Sequence, residues 1–155
     1  MPVLLVNDID TSKQFYQDIF SLEIENDFGE NIVFRDSFSI WERTRAEEII
    51  FRGSQVIESN PEDIKNVELY FETNNIETIW NMIKAKDIEV IHGLQEEPWG
   101  QRTLRILDPD NYIIEIAEPL DQVVLRFIKA GLTDSEVAKK TQMPIEFIKA
   151  LRNKQ

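Results

Sequence analysis

Glu68, Glu115 and His92 are the side chains of this 155-residue sequence whose types suit proton transfer. Glu115 is bracketed by Ile113, Ile114 and Ile116. Successive strand side chains point to opposite faces, which sends Glu115 away from Ile114 and Ile116. The same parity gathers Glu68, Tyr70 and Glu72 on one face and leaves Leu69 and Phe71 to pack on a helix. Two carboxylates turned into one apolar-walled cleft push one pKa upward, the arrangement of a general acid or base. The competing reading is a carboxylate paired with an arginine, which is the expectation for Glu72. Arg105 shares a face with Thr103, opposite Leu104 and Ile106. It either neutralises Glu115 or offers its fork to a ligand carboxylate or phosphate, and the acidity of the chain favours internal pairing. His92, the single histidine, ends a strand-like run just before the loop Gly93 to Pro98. It is a proton-transfer candidate because its unperturbed pKa lies near neutrality, with a hydrogen-bonding surface role as the alternative. Trp80 lies in a helical apolar stripe and reads as core, whereas Trp41 and Trp99 suit a pocket wall that stacks on a flat organic molecule. No Ser-His-Asp grouping, phosphate-binding glycine loop or nucleotide fingerprint is present.

Composition narrows what these residues can serve. The chain has no cysteine, which removes disulfides, thiolate nucleophiles and Cys-ligated zinc. Its formal charge of −12 disfavours a general nucleic-acid or anionic-membrane binder. The charge is uneven. Up to Leu120 there are 10 basic and 25 acidic residues, and from Asp121 onward 7 basic and 4 acidic. An acidic body and a basic appendix meet beside Pro119. No apolar run approaches membrane-spanning length, and the first eight residues do not read as a signal peptide. A soluble cytoplasmic protein is expected.

The elements that must position these residues follow from periodicity. Val3 to Val6 is a strand, with Asp8 or Asp10 capping a helix whose apolar positions are Phe15, Tyr16, Ile19 and Phe20. Leu22 to Glu25, Ile32 to Arg35 and Phe38 to Glu42 read as three short strands. Residues 43 to 66 form a connector, polar and irregular from Arg43 to Pro61. The order then restarts: strand Val67 to Thr73, helix Ile76 to Lys86 capped by Asn75, and strands Glu89 to His92, Arg102 to Leu107 and Tyr112 to Ala117. The last two are joined by Asp108-Pro109-Asp110-Asn111. Asp8-Ile9-Asp10 aligns with Asn75-Ile76-Glu77, and Ser39-Ile40-Trp41 with Ile113-Ile114-Glu115. Two half-units, 1–42 and 67–118, each βαβββ, therefore share residues 1–120, and a pocket is expected on the concave sheet between them. Residues 121–155 are wholly helical. One helix ends at Gly131, Thr133 and Glu136 form a capping box, and Pro144 opens a third helix carrying Phe147, Ile148 and Leu151. The last two helices have helix-turn-helix spacing. The fold class is α+β with a three-helix extension.

The duplicated order, Val6-Asn7-Asp8-Ile9 leading to Phe15-Tyr16, and Asp108-Pro109-Asp110 leading to Ile114-Glu115-Ile116 together resemble the vicinal oxygen chelate superfamily. That group holds glyoxalase I, bleomycin-resistance proteins and extradiol dioxygenases. The resemblance covers residues 1 to about 118, and Pro98 through Glu118 resembles a glyoxalase-like branch with a helical tail. It implies paired modules, a plausible homodimer, and metal ligands near the start of each module's first strand and the end of its last. Glu68 and Glu115 match two such positions. Met1 and Trp41, at the other two, cannot ligate a hard divalent ion, and the histidine the pattern would usually supply is missing. Two carboxylates make a poor site for Zn²⁺, Ni²⁺ or Fe²⁺, although water could complete a weak Mg²⁺ or Mn²⁺ shell.

The leading expectation is a glyoxalase-like protein binding a small organic molecule without a cofactor. Its cleft would be lined by Trp41, Glu68, Tyr70, Trp99, Thr103, Arg105 and Glu115, and Glu115 or Glu68 would carry any isomerase-like or lyase-like proton transfer. A divalent-metal lyase using Glu68, Glu115 and His92 is the first alternative. The second is a ligand-responsive regulator whose tail binds DNA through Lys139, Lys140, Lys149, Arg152 and Lys154. A tail docked on the acidic body, burying Val123, Phe127 and Phe147, is favoured over that use.

Overall fold

A computed structural model describes residues 1–51 and 67–154. The chain divides into two compact units, one comprising Met1–Val67 with Leu107–Ile113, the other Glu68–Ile106 with Ile114–Gln155. Among the described residues no helix is long and apolar enough to cross a membrane.

In the first unit β1 (Val3–Val6), α1 (Ile9–Phe20), β2 (Ile24–Asp27), β3 (Asn31–Phe34), β4 (Ser39–Glu42) and α2 (Arg43–Phe51) follow in order. The sheet order is β1-β4-β3-β2. β1 runs parallel to β4, with Leu4 opposite Ile40 and Leu5 opposite Trp41, and β3 is antiparallel to both its neighbours. Alternation buries Leu4, Val6, Ile32, Phe34 and Ile40 beneath Tyr16 and Ile19 of α1. Tyr16 meets Phe38 edge-on, with ring centroids 4.9 Å apart. Asp8 caps α1 by accepting from the Thr11 amide at 2.8 Å.

The buried hydroxyl of Tyr16 donates to Asp108 Oδ2 at 2.6 Å. Asp108 Oδ1 accepts from the amides of Asp110 and Tyr112, while Asp110 accepts from the Asn7 amide and the Ser12 hydroxyl. The Asp-Pro-Asp-Asn turn is thus a buried hydrogen-bonded plug, with Asn111 supplying its positive φ of 68°. Burial pushes the Asp108 carboxyl above the ordinary range, against the pull of its donors, and desolvation beside Asp108 pushes the Tyr16 phenol far up.

Arg43 to Phe51 corrects the expected irregular connector, because it is a helix. Its exposed amides at Thr44 and Arg45 are taken by the Glu42 carboxylate at 3.1 and 2.7 Å. A glutamate one residue before the helix does the work normally assigned to Ser, Thr, Asp or Asn, so the usual start signal is missing. The rest of that connector, residues 52–66, lies outside the described residues.

The second unit repeats the order with β5 (Glu68–Glu72), α3 (Ile76–Lys84), β6 (Val90–Glu96), β7 (Arg102–Leu107) and β8 (Ile113–Ala117), arranged β5-β8-β7-β6. Ile76, Ile83, Leu104, Ile106, Ile114 and Ile116 are buried. Asn75 precedes α3 without a side-chain cap hydrogen bond. β6 runs four residues beyond His92, through Gly93, which sequence reading placed in a loop. A Cβ at Gly93 would lie 2.8 Å from Cζ2 of the half-buried Trp80, so this strand glycine makes room for an indole.

The tail belongs to this unit. α4 (Leu120–Lys129), α5 (Asp134–Thr141) and α6 (Ile145–Arg152) close on Val123, Val124, Phe127, Ile128, Val137 and Ile148. Thr133 and Glu136 form the expected capping box, and Gly131 (φ 89°) follows α4. Phe147 is exposed, correcting its expected burial; Ile148 is the residue of α6 that enters the core.

Candidate functional site on the second sheet

The strand order β5-β8-β7-β6 sets Glu68, Glu115, Arg105 and His92 in a row across one face. His92 is the cross-strand partner of Arg105 in the β6–β7 ladder. Adjacent strands are about 4.8 Å apart, so an arginine on β7 reaches across β8 to β5. Arg105 does this. Its Nε donates to Glu68 Oε1 at 2.7 Å and its Nη2 to Glu115 Oε2. Nη1 lies 3.1 Å from His92 Nε2 and 3.5 Å from Glu97 Oε1. A guanidinium has no acceptor, so His92 Nε2 must accept, leaving Nδ1 to donate to the Gly93 carbonyl 3.0 Å away. These two partners match the Nδ1–H tautomer.

Glu115 is the most buried carboxylate of the cluster, with 9 % of its side chain exposed against 41 % for Glu68. Desolvation raises its pKa, Glu68 and Glu97 reinforce the shift, and Arg105 opposes it. Burial alone would ease a proton off Arg105, but Glu68, Glu115 and Glu97 prevail and hold it charged. Three carboxylates surround one guanidinium, and the two that neighbour Glu115 add to the effect of its burial.

The buried Thr103 donates to Glu97 Oε1 at 2.8 Å. Tyr70 is half-exposed. Its hydroxyl donates to Glu72 and accepts from Gln101 Nε2, each at 3.0 Å, and burial leads the upward shift of its pKa. Gln101 also donates to the Glu118 carbonyl and accepts from the Trp99 indole N–H at 2.9 Å. Glu68, His92, Thr103, Arg105 and Glu115 are therefore brought together, and Tyr70 and Trp99 join through Gln101. Trp41 is half-buried in the first unit, between Leu5 and Asn31 in register.

Glu97 and Gln101 were missed by sequence reading. Both lie in the turn between β6 and β7, where period-two parity assigns no face. The weak signal available was two polar residues flanking Pro98-Trp99-Gly100 before a strand that carries Thr103 and Arg105.

The tail braces this turn. Gly100 has φ 89°, and a Cβ there would lie 2.3 Å from Cζ of Phe127. Arg126 donates to Glu118, to Glu96 and to the Gly100 carbonyl. Burial would raise the Glu118 carboxyl, but Arg126 and Arg102 outweigh it and hold the pKa low. Lys140 pairs with Glu96 at 3.6 Å and sits over the Phe127 ring. Lys149 and Arg152 pair with Glu146 and Asp134 inside the tail.

A divalent ion implied by the resemblance would need Glu68 and Glu115. Both carboxylates are held by Arg105, whose positive fork separates them, and among the described residues no three His, Asp or Glu side chains are arranged to hold a metal ion. As placed, these residues do not fit such an ion.

Residues 1–121 match the model of the glyoxalase-like domain family. A solved protein of unknown function from Agrobacterium tumefaciens is 38 % identical, with a TM-score of 0.65 over 76 % of this chain and 90 % of that one. A lactoylglutathione lyase from the same organism (18 % identity, TM-score 0.59, 76 % and 90 % covered) shares the fold. So does a glyoxalase/bleomycin resistance protein/dioxygenase family enzyme from Burkholderia phytofirmans (16 %, 0.59, 75 % and 94 %). Among curated proteins none is similar enough in sequence to match.

Proposed function

The chain belongs to the glyoxalase-like domain family of the vicinal oxygen chelate superfamily, and from that premise we propose that the polar face of its second sheet binds a small organic molecule. The observation that carries this reading is Glu115, a nearly buried carboxyl with a raised pKa on a sheet face that also presents the half-exposed ring of Tyr70. A buried acid costs stability unless it has a use or a full set of partners, and perturbed carboxyls gather at functional sites. Tyr70 offers a flat surface, while Glu68 and Glu72 offer acceptors at its edge. Any reaction is a proton transfer in which Glu115 gives or takes the proton and Arg105 fixes the carboxyl's direction.

Saturation-transfer NMR with a library of small aromatic compounds tests the proposal. A genuine ligand loses about tenfold or more in affinity on Tyr70→Ala and on Glu115→Gln, the size of a lost aromatic or hydrogen-bonding contact. Ligands indifferent to both substitutions overturn it. A DNA-reading tail is less well supported, because three of its five candidate cations, Lys140, Lys149 and Arg152, have carboxylate partners within the chain.

A further inference from the structure

We propose that Arg105 is a resident cation standing where the family resemblance assigns a divalent ion, so that this sheet face is organised around a guanidinium instead of a metal. Glu68 and Glu115, the two residues at ligand-matching positions, are the partners of its Nε and Nη2. Its Nη1 faces His92 Nε2 and Glu97 Oε1. One side chain thus engages three carboxylates and the only imidazole, a set of oxygen and nitrogen donors of the kind that would otherwise hold a first-row ion. A divalent ion needs those donors within about 2.0–2.6 Å of one point, and a guanidinium between them keeps them apart while its charge repels the ion. Arginine does not lose its proton in proteins, so pH cannot vacate the position. The fork is also directional: Nε, Nη1 and Nη2 hold three strands' side chains in fixed orientations, which a freely exchanging ion would not do. Arg105 plays this part whether or not the face binds an organic ligand.

The test is metal titration of the full chain, with Mn²⁺ followed by the electron paramagnetic resonance of the free ion and Ni²⁺ by calorimetry. Wild-type protein should show no saturable binding below about 1 mM, because Glu68 and Glu115 are already held by the Arg105 cation. Arg105→Gln, checked for native circular dichroism, should gain one saturable site with an affinity raised about tenfold or more, and adding Glu115→Gln should abolish the gain. Arg105→Lys retains a cation and should stay blind to metal. Stoichiometric micromolar binding by wild type overturns the proposal. So does a folded Arg105→Gln that binds no better than wild type, a gain that survives Glu115→Gln, or Arg105→Lys binding like Arg105→Gln. Should Arg105→Gln not fold, the wild-type and Arg105→Lys titrations decide the matter alone.

Discussion

The two sheets share one strand order and diverge in the side chains of one face. On the first, alternation and register place Val3 and Leu5 of β1, Ser39 and Trp41 of β4, and Asn31 and Val33 of β3 together, six uncharged side chains on three neighbouring strands. On the second, the corresponding face carries Glu68, Tyr70 and Glu72, Glu115, and Thr103 and Arg105. The opposite faces of both sheets are alike, built from buried isoleucine, leucine, valine and phenylalanine. Topology is therefore held by the rows that pack on helices, and chemistry is free to diverge in the others. The first unit keeps its polar groups in the Asp108–Tyr16 plug, where each buried oxygen meets a neutral donor. The second keeps them in an ionic fork at the sheet surface.

The largest expected effect separates those two designs. Arg105→Ala leaves Glu68, Glu97 and Glu115 unneutralised and should cost about 3 kcal/mol in urea denaturation, since removing one partner of a largely buried ion pair strands the other. A cost under about 0.5 kcal/mol would make the fork a surface salt bridge like any other. Glycine comes next. Gly100→Ala meets both a positive φ and the Phe127 ring and should cost about 3 kcal/mol, whereas Gly29→Ala (φ 80°), with nothing within 4 Å of its new methyl, should cost about 1 kcal/mol. Equal costs would remove the claim that the tail seats on Gly100.

Tyr16→Phe should cost about 2 kcal/mol by thermal denaturation, because Asp108 loses a buried donor. The smallest effects are in pH dependence, and they have opposite signs. Glu118 has a folded pKa below the ordinary 4.5, so its contribution is present above that value and lost as pH falls through the folded one. Glu118→Gln should flatten the acid limb of a stability–pH curve. Glu115 is raised above 4.5, so its contribution is full below that value and lost as pH rises through the folded one. Glu115→Gln should remove that decline, and two curves bending the same way would refute the contrast.

Period-two alternation made the second sheet's face legible: Glu68 with Tyr70 and Glu72, Thr103 with Arg105, and Glu115 apart from Ile114 all stand as parity requires. The duplication was legible through its local matches, down to Asp8 and Asn75 at equivalent helix starts. Illegible features depended on geometry without a period. Glu97 reaches Arg105 from a turn, Glu42 caps a helix from the end of a strand, and Gly93 sits in a strand to clear Trp80. The four partners of Arg105 could not be counted from sequence either, because strand order decides which residues meet across three neighbouring strands.

The seat of Phe127 on Gly100 has a consequence for cooperativity. A fragment ending at residue 121, where the family match stops, would leave Glu118 without Arg126 and open the hollow that the phenyl ring fills. The helical appendix and β5–β8 should accordingly exchange their amide hydrogens as one foldon, with protection of β7 and α4 rising and falling together under denaturant. A tail of three short helices, each too brief to persist alone in water, thereby becomes a keystone of the sheet that precedes it.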